Sequence, residues 1–261
     1  MILISYLKDL FAPRPSAPPA PPPPQFSAPL VPERPFAAVG DIHGRADLLR
    51  DLVGQLGAQA GTDWPLVFLG DYIDRGEHSA AVLAHLQELQ AGGWPGEMIC
   101  LMGNHEAMML EFLEHPEEAG RRWLRNGGAH TLVSFEVPLP GPAPEALCEA
   151  RDALRAALGP ATEAWLRALP LCFRSGNVFA AHAGADPQTP LGAQQEEHLL
   201  WGHPAFLQTP RADGIWVVHG HTICDRATAE QGRISVDTGA YATHRLSAAL
   251  IQDEQCRFIT T

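Results

Sequence analysis

The chain has 261 residues, 46% of them apolar, which is enough to bury one sizeable α/β core with an inserted element. A net charge of −12 and the lack of any Lys/Arg run argue against a nucleic-acid binder, and the surplus carboxylates suit the holding of cations. Five cysteines, an odd number without Cys-x-x-Cys spacing, point to reduced thiols in a cytoplasmic protein rather than to a disulfide framework.

Taken in chain order, Met1 to Ala12 form a short apolar, helix-compatible segment (Ile2, Leu3, Ile4, Tyr6, Leu7, Leu10, Phe11) that also carries Lys8 and Asp9. It is too short to span a bilayer and lacks the basic start and small-residue cleavage site of a signal peptide. It reads as a docking peptide for a membrane surface or a protein, or as a segment packed on its own or a neighbouring domain. Residues 13 to 35 contain eleven prolines and are expected to be a polyproline-like, largely unpacked tether, so that residues 1–35 precede a catalytic domain of residues 36–261.

That domain opens with three apolar runs, each followed by a Gly and polar residues. Phe36 to Val39 lead into Gly40-Asp41-Ile42-His43-Gly44, Leu66 to Leu69 into Gly70-Asp71-Tyr72-Ile73-Asp74-Arg75-Gly76, and Met98 to Met102 into Gly103-Asn104-His105-Glu106. Runs of this kind suit strands buried on both faces, and their spacing of about thirty residues matches one βαβ unit. Asp41, Asp71 and Asn104 would then converge beyond the carboxyl ends of neighbouring strands. Between Glu106 and Pro170 the pattern becomes helical, with helices expected over Ala107 to Leu113, Pro116 to Arg125, Pro144 to Leu158 and Ala161 to Leu169. This excursion, about 107–170, holds no metal-ligand cluster and is where substrate selection is expected. Val178 to Ala181 then run into His182, and Ile215 to Val218 into His219 and His221. Further strand-like runs follow at Arg233 to Asp237, Arg245 to Ile251 and Cys256 to Ile259.

Any one of these Asp or His residues, taken alone, suits a turn, a cap or a satisfied core position. The ordered set of carboxylate, imidazole and amide donors instead fits Mn, Fe or Zn ions rather than an all-oxygen Ca²⁺ site. His219 reads as a supporting residue on the strand approach and Glu106 as a helix start or cap. His78, His85, His115, His130, His198 and His244 read as surface or packing residues.

Over roughly Phe36 to Ile251 the five segments Gly-Asp-Ile-His-Gly, Gly-Asp-Tyr-Ile-Asp-Arg-Gly, Gly-Asn-His-Glu, His-Ala-Gly and His-Gly-His resemble the phosphoprotein phosphatase (PPP-type) family of calcineurin-like metallophosphoesterases, especially its bacterial and phage members. The resemblance implies an α/β fold of two packed sheets with flanking helices and an active site at the strand C-terminal ends. It implies two divalent ions, Mn²⁺ foremost with Fe or Zn²⁺ as alternatives. Asp41, His43 and Asp71 would hold the first, and Asp71, Asn104, His182 and His221 the second. Hydroxide shared by the ions would attack a phosphoester in line, His105 held by Asp74 would protonate the leaving group, and Arg75 would bind phosphate oxygens. The implied substrate is a phosphorylated protein or small phosphoester, at serine or threonine and conceivably tyrosine. A dinucleoside polyphosphate and a silent phospho-binding role are the alternatives. One departure stands out. Close bacterial members of the family place a phosphate-binding arginine in a Leu-Trp-x-Arg segment, whereas this chain has Leu200-Trp201-Gly202-His203. Either His203 is the second phosphate contact, or Arg211 or Arg226 reaches in, or phosphate is held less tightly.

Overall fold

The computed structural model describes residues 26–59 and 63–261. Strand β1 (Phe36–Val39) is followed by helix α1 (Ala46–Gln59), β2 (Leu66–Phe68), α2 (Ser79–Glu88), β3 (Met98–Cys100) and α3 (Asn104–Glu114). The helical excursion continues with α4 (Pro116–Trp123), α5 (Ala129–Ser134) and α6 (Pro144–Arg167). The second half comprises β4 (Cys172–Ser175), β5 (Val178–Ala181), α7 (Glu196–Trp201), β6 (Trp216–His219), β7 (Thr228–Glu230), β8 (Arg233–Ser235), α8 (Ala240–Thr243), β9 (Ser247–Gln252) and β10 (Gln255–Thr260).

The strands form two five-stranded sheets, ordered β10-β9-β1-β2-β3 and β4-β5-β6-β8-β7. In the first, β1 to β3 run parallel and β9 returns antiparallel beside β1. In the second, β5, β6 and β8 run parallel between antiparallel edges. Side chains alternate across a strand, and the alternation sorts the core into layers. Phe36 and Ala38 join Val67, Leu69, Val178, Ala180 and Val218 between the sheets, whereas Ala37, Val39 and Phe68 pack with Leu49, Leu52 and Leu86 of the helices. On the outer side of the second sheet Phe179, Ala181 and Val217 meet Leu199 and Phe206. Each fully buried Leu or Phe contributes about 1.5–3 kcal/mol, so these layers hold the strand ends in place. The expected α/β architecture of two sheets with flanking helices is therefore the one observed.

Two expectations are refined. The helices expected over Pro144 to Leu158 and Ala161 to Leu169 join end to end as α6, with a kink at Gly159 (φ 71°, ψ 160°), where Pro160 brings no backbone N–H. Helix α5 and strands β4 and β7, all short, carried no periodic signal of their own.

The tether is corrected from residue 26 onward. Residues 26–35 are not an unpacked spacer: Leu30 is buried, Phe26 meets Trp216 edge-on at 5.1 Å, and Val31 N–H donates to Asn177 Oδ1 at 2.8 Å while Val31 O accepts from Asn177 N–H. Proline removes donors but not carbonyls or neighbouring apolar side chains, so the segment still docks on the β4–β5 hairpin. The segment 1–12 and the rest of the tether lie outside the described residues. Among the described residues no helix is long and apolar enough to cross a membrane.

Candidate metal centre

The ends of both sheets supply the site. Asp41 and His43 follow β1, Asp71 follows β2, Asn104 opens α3 four residues beyond the end of β3, His182 follows β5, and His221 lies two residues beyond β6. The turns that aim them are unusual. His43 (φ 45°), Asp71 (54°), Asp74 (69°), Arg75 (66°) and His221 (61°) all sit in left-handed backbone. For residues other than glycine each such position costs about 1–3 kcal/mol, and such positions cluster where the surroundings force a functional geometry. Gly220 has no side chain for a related reason, since a Cβ there would collide with the Asp41 carboxylate.

Asp71 is the hub. Its Oδ2 lies 3.5 Å from His43 Nε2 and 3.8 Å from His105 Nε2, and its Oδ1 lies 3.4 Å from His182 Nε2. Asn104 Oδ1 lies 2.8 Å from His182 Nε2 and 3.0 Å from His221 Nδ1, and those two ring nitrogens are 3.2 Å apart. Asp41 accepts the His221 backbone N–H on both oxygens, at 3.1 and 3.0 Å. The donor atoms thus form two groups that share one carboxylate, His43–Asp71–His105 on one side and Asp71–His182–His221 on the other.

Backbone carbonyls set the tautomers. A carbonyl can only accept, so His43 Nδ1–H donates to Ile73 O at 2.8 Å and His182 Nδ1–H donates to Leu69 O at 3.0 Å. Each ring therefore turns a bare Nε2 into the site, the arrangement that orients imidazole for a cation. Burial pushes His43 down to about 3 and His182 down to about 4, so both rings are neutral and ready to ligate.

The carboxylates tell the complementary story. Burial, followed by the nearby Asp237 and Asp71 carboxylates, raises the Asp41 pKa well above its usual value, and burial together with Asp71 pushes Asp237 up to about 6. Burial also opposes ionisation of Asp71, but His182, His105 and His43 outweigh it and hold this carboxyl well below the usual range. Three acidic groups crowded among neutral imidazoles and an amide oxygen form an electron-rich pocket, and buried charge of this kind requires compensation. Divalent cations fit that donor set: the donor atoms of His43 and Asp71, and those of Asp71, His182 and His221, lie within 4.8 Å of one another, with Asn104 Oδ1 beside the second group and Asp41 held on the His221 N–H.

His105 is held separately. Its Nδ1–H donates to Asp74 Oδ2 at 2.7 Å, so Nε2 points toward Asp71. Asp74 is fully buried and also accepts from Trp123 Nε1 at 2.9 Å and Thr131 Oγ1 at 2.6 Å. Burial lowers the His105 pKa, but the Asp71 carboxylate and the Asp74 hydrogen bond overcome it and the net shift is upward. Arg75 donates to His43 Nε2 at 3.0 Å and lies over the Tyr241 ring, 5.0 Å from its centroid.

Several contributors carried no sequence signal of function. Glu106, expected to cap α3, does so through Gly103 N–H and also accepts from the backbone N–H groups of Asp71, Tyr72 and Ile73, at 2.8, 2.8 and 3.3 Å. It clamps the second motif to the third. Burial and the neighbouring Asp71 outweigh the Tyr72 and Asp71 N–H groups, and its carboxyl is pushed up to about 8. Asp237 could have been suspected, since it follows a strand run and precedes Thr238-Gly239. Tyr241, Trp123 and Thr131 could not.

Elsewhere the alternatives for the missing arginine separate. Arg211 is engaged by Asp213 and by the carbonyls of Asp186 and Thr189, at 3.0, 2.7 and 3.0 Å, which makes it a brace within its own loop. His203 stands beside Asp186 and His198, with Nδ1 4.0 Å from Asp186 Oδ1. His219 is a support, as expected: Nδ1–H donates to Gly220 O at 3.0 Å and Nε2 lies 2.8 Å from Ser235 Oγ.

Comparison with known proteins agrees with this geometry. The calcineurin-like phosphoesterase family profile matches residues 34–226. The chain is 29% identical over 217 residues to serine/threonine-protein phosphatase 2 of Salmonella typhimurium, covering 80% of this chain and 89% of that protein. Among solved structures it superposes on a putative diadenosine tetraphosphatase with a TM-score of 0.59 and 23% identity, covering 90% of this chain and 98% of the other. A cold-active protein-tyrosine phosphatase of Shewanella matches with a TM-score of 0.56 and 19% identity, over 94% of this chain and 88% of the other. From sheet topology, donor arrangement and family match together, the chain belongs to the calcineurin-like phosphoesterase family.

Proposed function

We propose that this protein is a metal-dependent phosphomonoesterase acting on phosphoserine and phosphothreonine in proteins. The observation that carries the reading is Asp71 shared between two imidazole groups, with the His105–Asp74 pair 2.7 Å long beside it. When bound, two divalent ions, Mn²⁺ in the first instance, supply Lewis-acid charge for the phosphoryl oxygens and make solvent nucleophilic near neutral pH. Asp41, His43 and Asp71 would hold one, and Asp71, Asn104, His182 and His221 would hold the other. In the protonated ring Asp74 accepts the His105 Nδ1–H, leaving the Nε2–H to pass to the departing alkoxide, a step contributing roughly 10²–10⁴-fold. Arg75 turns its planar fork to phosphate oxygens, oriented by Tyr241.

The surroundings support a polypeptide substrate. An open hollow of about 380 Å³ lined by Arg75, Arg125, His130 and Tyr241 meets, at Asn126, a groove of about 590 Å³ lined by Glu111, Arg122, Leu200 and Trp201. A chain whose phosphoresidue sits at Arg75 finds both charged and apolar side chains along that path. The Salmonella relatives named as serine/threonine phosphatases favour the same reading. Hydrolysis of a dinucleoside polyphosphate is the second reading, favoured by Arg125 and His130 beside Arg75, where a further phosphate would sit.

Metal-stripped protein reloaded with Mn²⁺ and assayed on phosphoserine, phosphothreonine and phosphotyrosine peptides, p-nitrophenyl phosphate and diadenosine tetraphosphate separates these. The highest kcat/KM is expected on phosphoserine or phosphothreonine peptides. A higher kcat/KM on the dinucleotide would replace the first reading with the second.

A further inference from the structure

A third group of potential ligands lies outside the centre just described. Asp186, in the loop after β5, His198 on α7 and His203 just past that helix bring one carboxylate oxygen and two imidazole nitrogens within 4.8 Å of one another. The two rings meet edge-on, with centroids 4.6 Å apart. We propose that Asp186, His198 and His203 form a separate site for a single Zn²⁺-class divalent ion.

An independent observation points the same way. Among the described residues His198 Nδ1 is the buried side-chain nitrogen or oxygen that has no hydrogen-bond partner. An orphaned buried polar atom is uncommon in a folded protein, and an ion is one of its standard explanations. Asp186 is already set in place: Oδ1 accepts from Gln188 N–H at 2.9 Å and Oδ2 accepts from Thr189 Oγ1 at 2.6 Å. Each oxygen keeps a lone pair for a cation. These same hydrogen bonds, Thr189 first, hold the carboxyl below its usual pKa, in the anionic form a metal requires.

Two nitrogens and one oxygen form a borderline donor set that suits Zn²⁺, Co²⁺ or Ni²⁺ and disfavours Ca²⁺ and Mg²⁺. Ligand atoms around a tetrahedral Zn²⁺ lie about 3.4 Å apart, given metal–nitrogen bonds of about 2.0–2.1 Å. The three donor atoms lie within 4.8 Å of one another, His203 Nδ1 being 4.0 Å from Asp186 Oδ1. The His203 side chain is 25% exposed, and its Nδ1 gives up at most the Ala205 N–H it accepts at 3.2 Å. Three protein ligands leave a solvent position open. Such an ion would staple the loop descending from His182 to α7, which presents Trp201 to the substrate groove. It also gives His203 a different task from the phosphate contact expected at that position.

The test is metal stoichiometry. Full-length protein is stripped with chelator, titrated with Zn²⁺, and counted by equilibrium dialysis and elemental analysis, in wild type, His198→Ala, Asp186→Asn and His203→Arg. Each variant is expected to bind one equivalent fewer than wild type, and the visible absorption of Co²⁺-loaded wild type to exceed that of each Co²⁺-loaded variant by the contribution of one ion. Equal stoichiometry in wild type and every folded variant overturns the proposal. His203→Arg conserves bulk and supplies a fixed cation, so it decides the question if the other two fail to fold by circular dichroism. Because the readout is a difference between proteins, it stands apart from the phosphatase reading: loss of one equivalent without any phosphoester turnover would keep the third site and remove the proposed activity.

Discussion

His43 and His182, at the strand ends, are 1% and 0% exposed, and each commits one ring nitrogen to a backbone carbonyl. Trp201 and Arg122, on the helical rim, are by contrast half-exposed; they meet in a cation–π contact at 5.8 Å, and Arg122 also pairs with Glu111. At the strand ends backbone strain and buried charge are held in place by the packed sheets. The rim is made of side chains whose positions cost little to change. On the proposed function, chemistry belongs to the first region and selectivity to the second.

Substitutions break the two regions differently. Asp71→Asn removes the carboxylate that both donor groups share and should lower kcat by about 10³-fold or more, with metal content falling in parallel, since several kcal/mol of charge stabilisation goes with it. His105→Asn should lower kcat by roughly 10²–10⁴-fold while the metal content holds, separating proton donation from metal binding. The pH profile sharpens this. On the proposed role the acid form of His105 is the active one, so activity is lost as pH rises through the His105 pKa, which the hydrogen bond to Asp74 helps to raise. His105→Asn should abolish that alkaline limb, and Asp74→Asn should move it to lower pH because the carboxylate that helps raise it is gone.

Smaller effects follow outward. Glu106→Gln places an amide N–H₂ among backbone donors and should cost about 1–3 kcal/mol, read as a drop of several degrees in Tm. On the rim, Trp201→Ala should raise KM for a phosphopeptide about fivefold, the equivalent of roughly 1 kcal/mol, and affect the small ester less. A larger effect of Trp201→Ala than of His105→Asn on p-nitrophenyl phosphate turnover would erase the distinction between the regions.

Much of the centre was legible in the chain because it rests on local rules. An apolar run makes a strand, a glycine ends it, and the next polar residue emerges at a sheet end, so Asp41, Asp71, Asn104, His182 and His221 could be named from spacing and residue type alone. The family resemblance then supplied the grouping of those residues around two ions. Partners that act across long separations could not be read in this way. Trp123 and Thr131 reach Asp74 from 49 and 57 residues away, and the Glu106 carboxylate clamps a turn more than thirty residues earlier. The docking of residues 26–35 and the meeting of Asp186 with His198 and His203 likewise depend on how the two sheets and α7 pack. The sequence by itself determined which donors stand at the strand ends, because strand periodicity is a property of neighbouring residues. Only the tertiary structure decided what holds those donors still and which surface surrounds them, because burial and hydrogen-bond partners are properties of the packed whole.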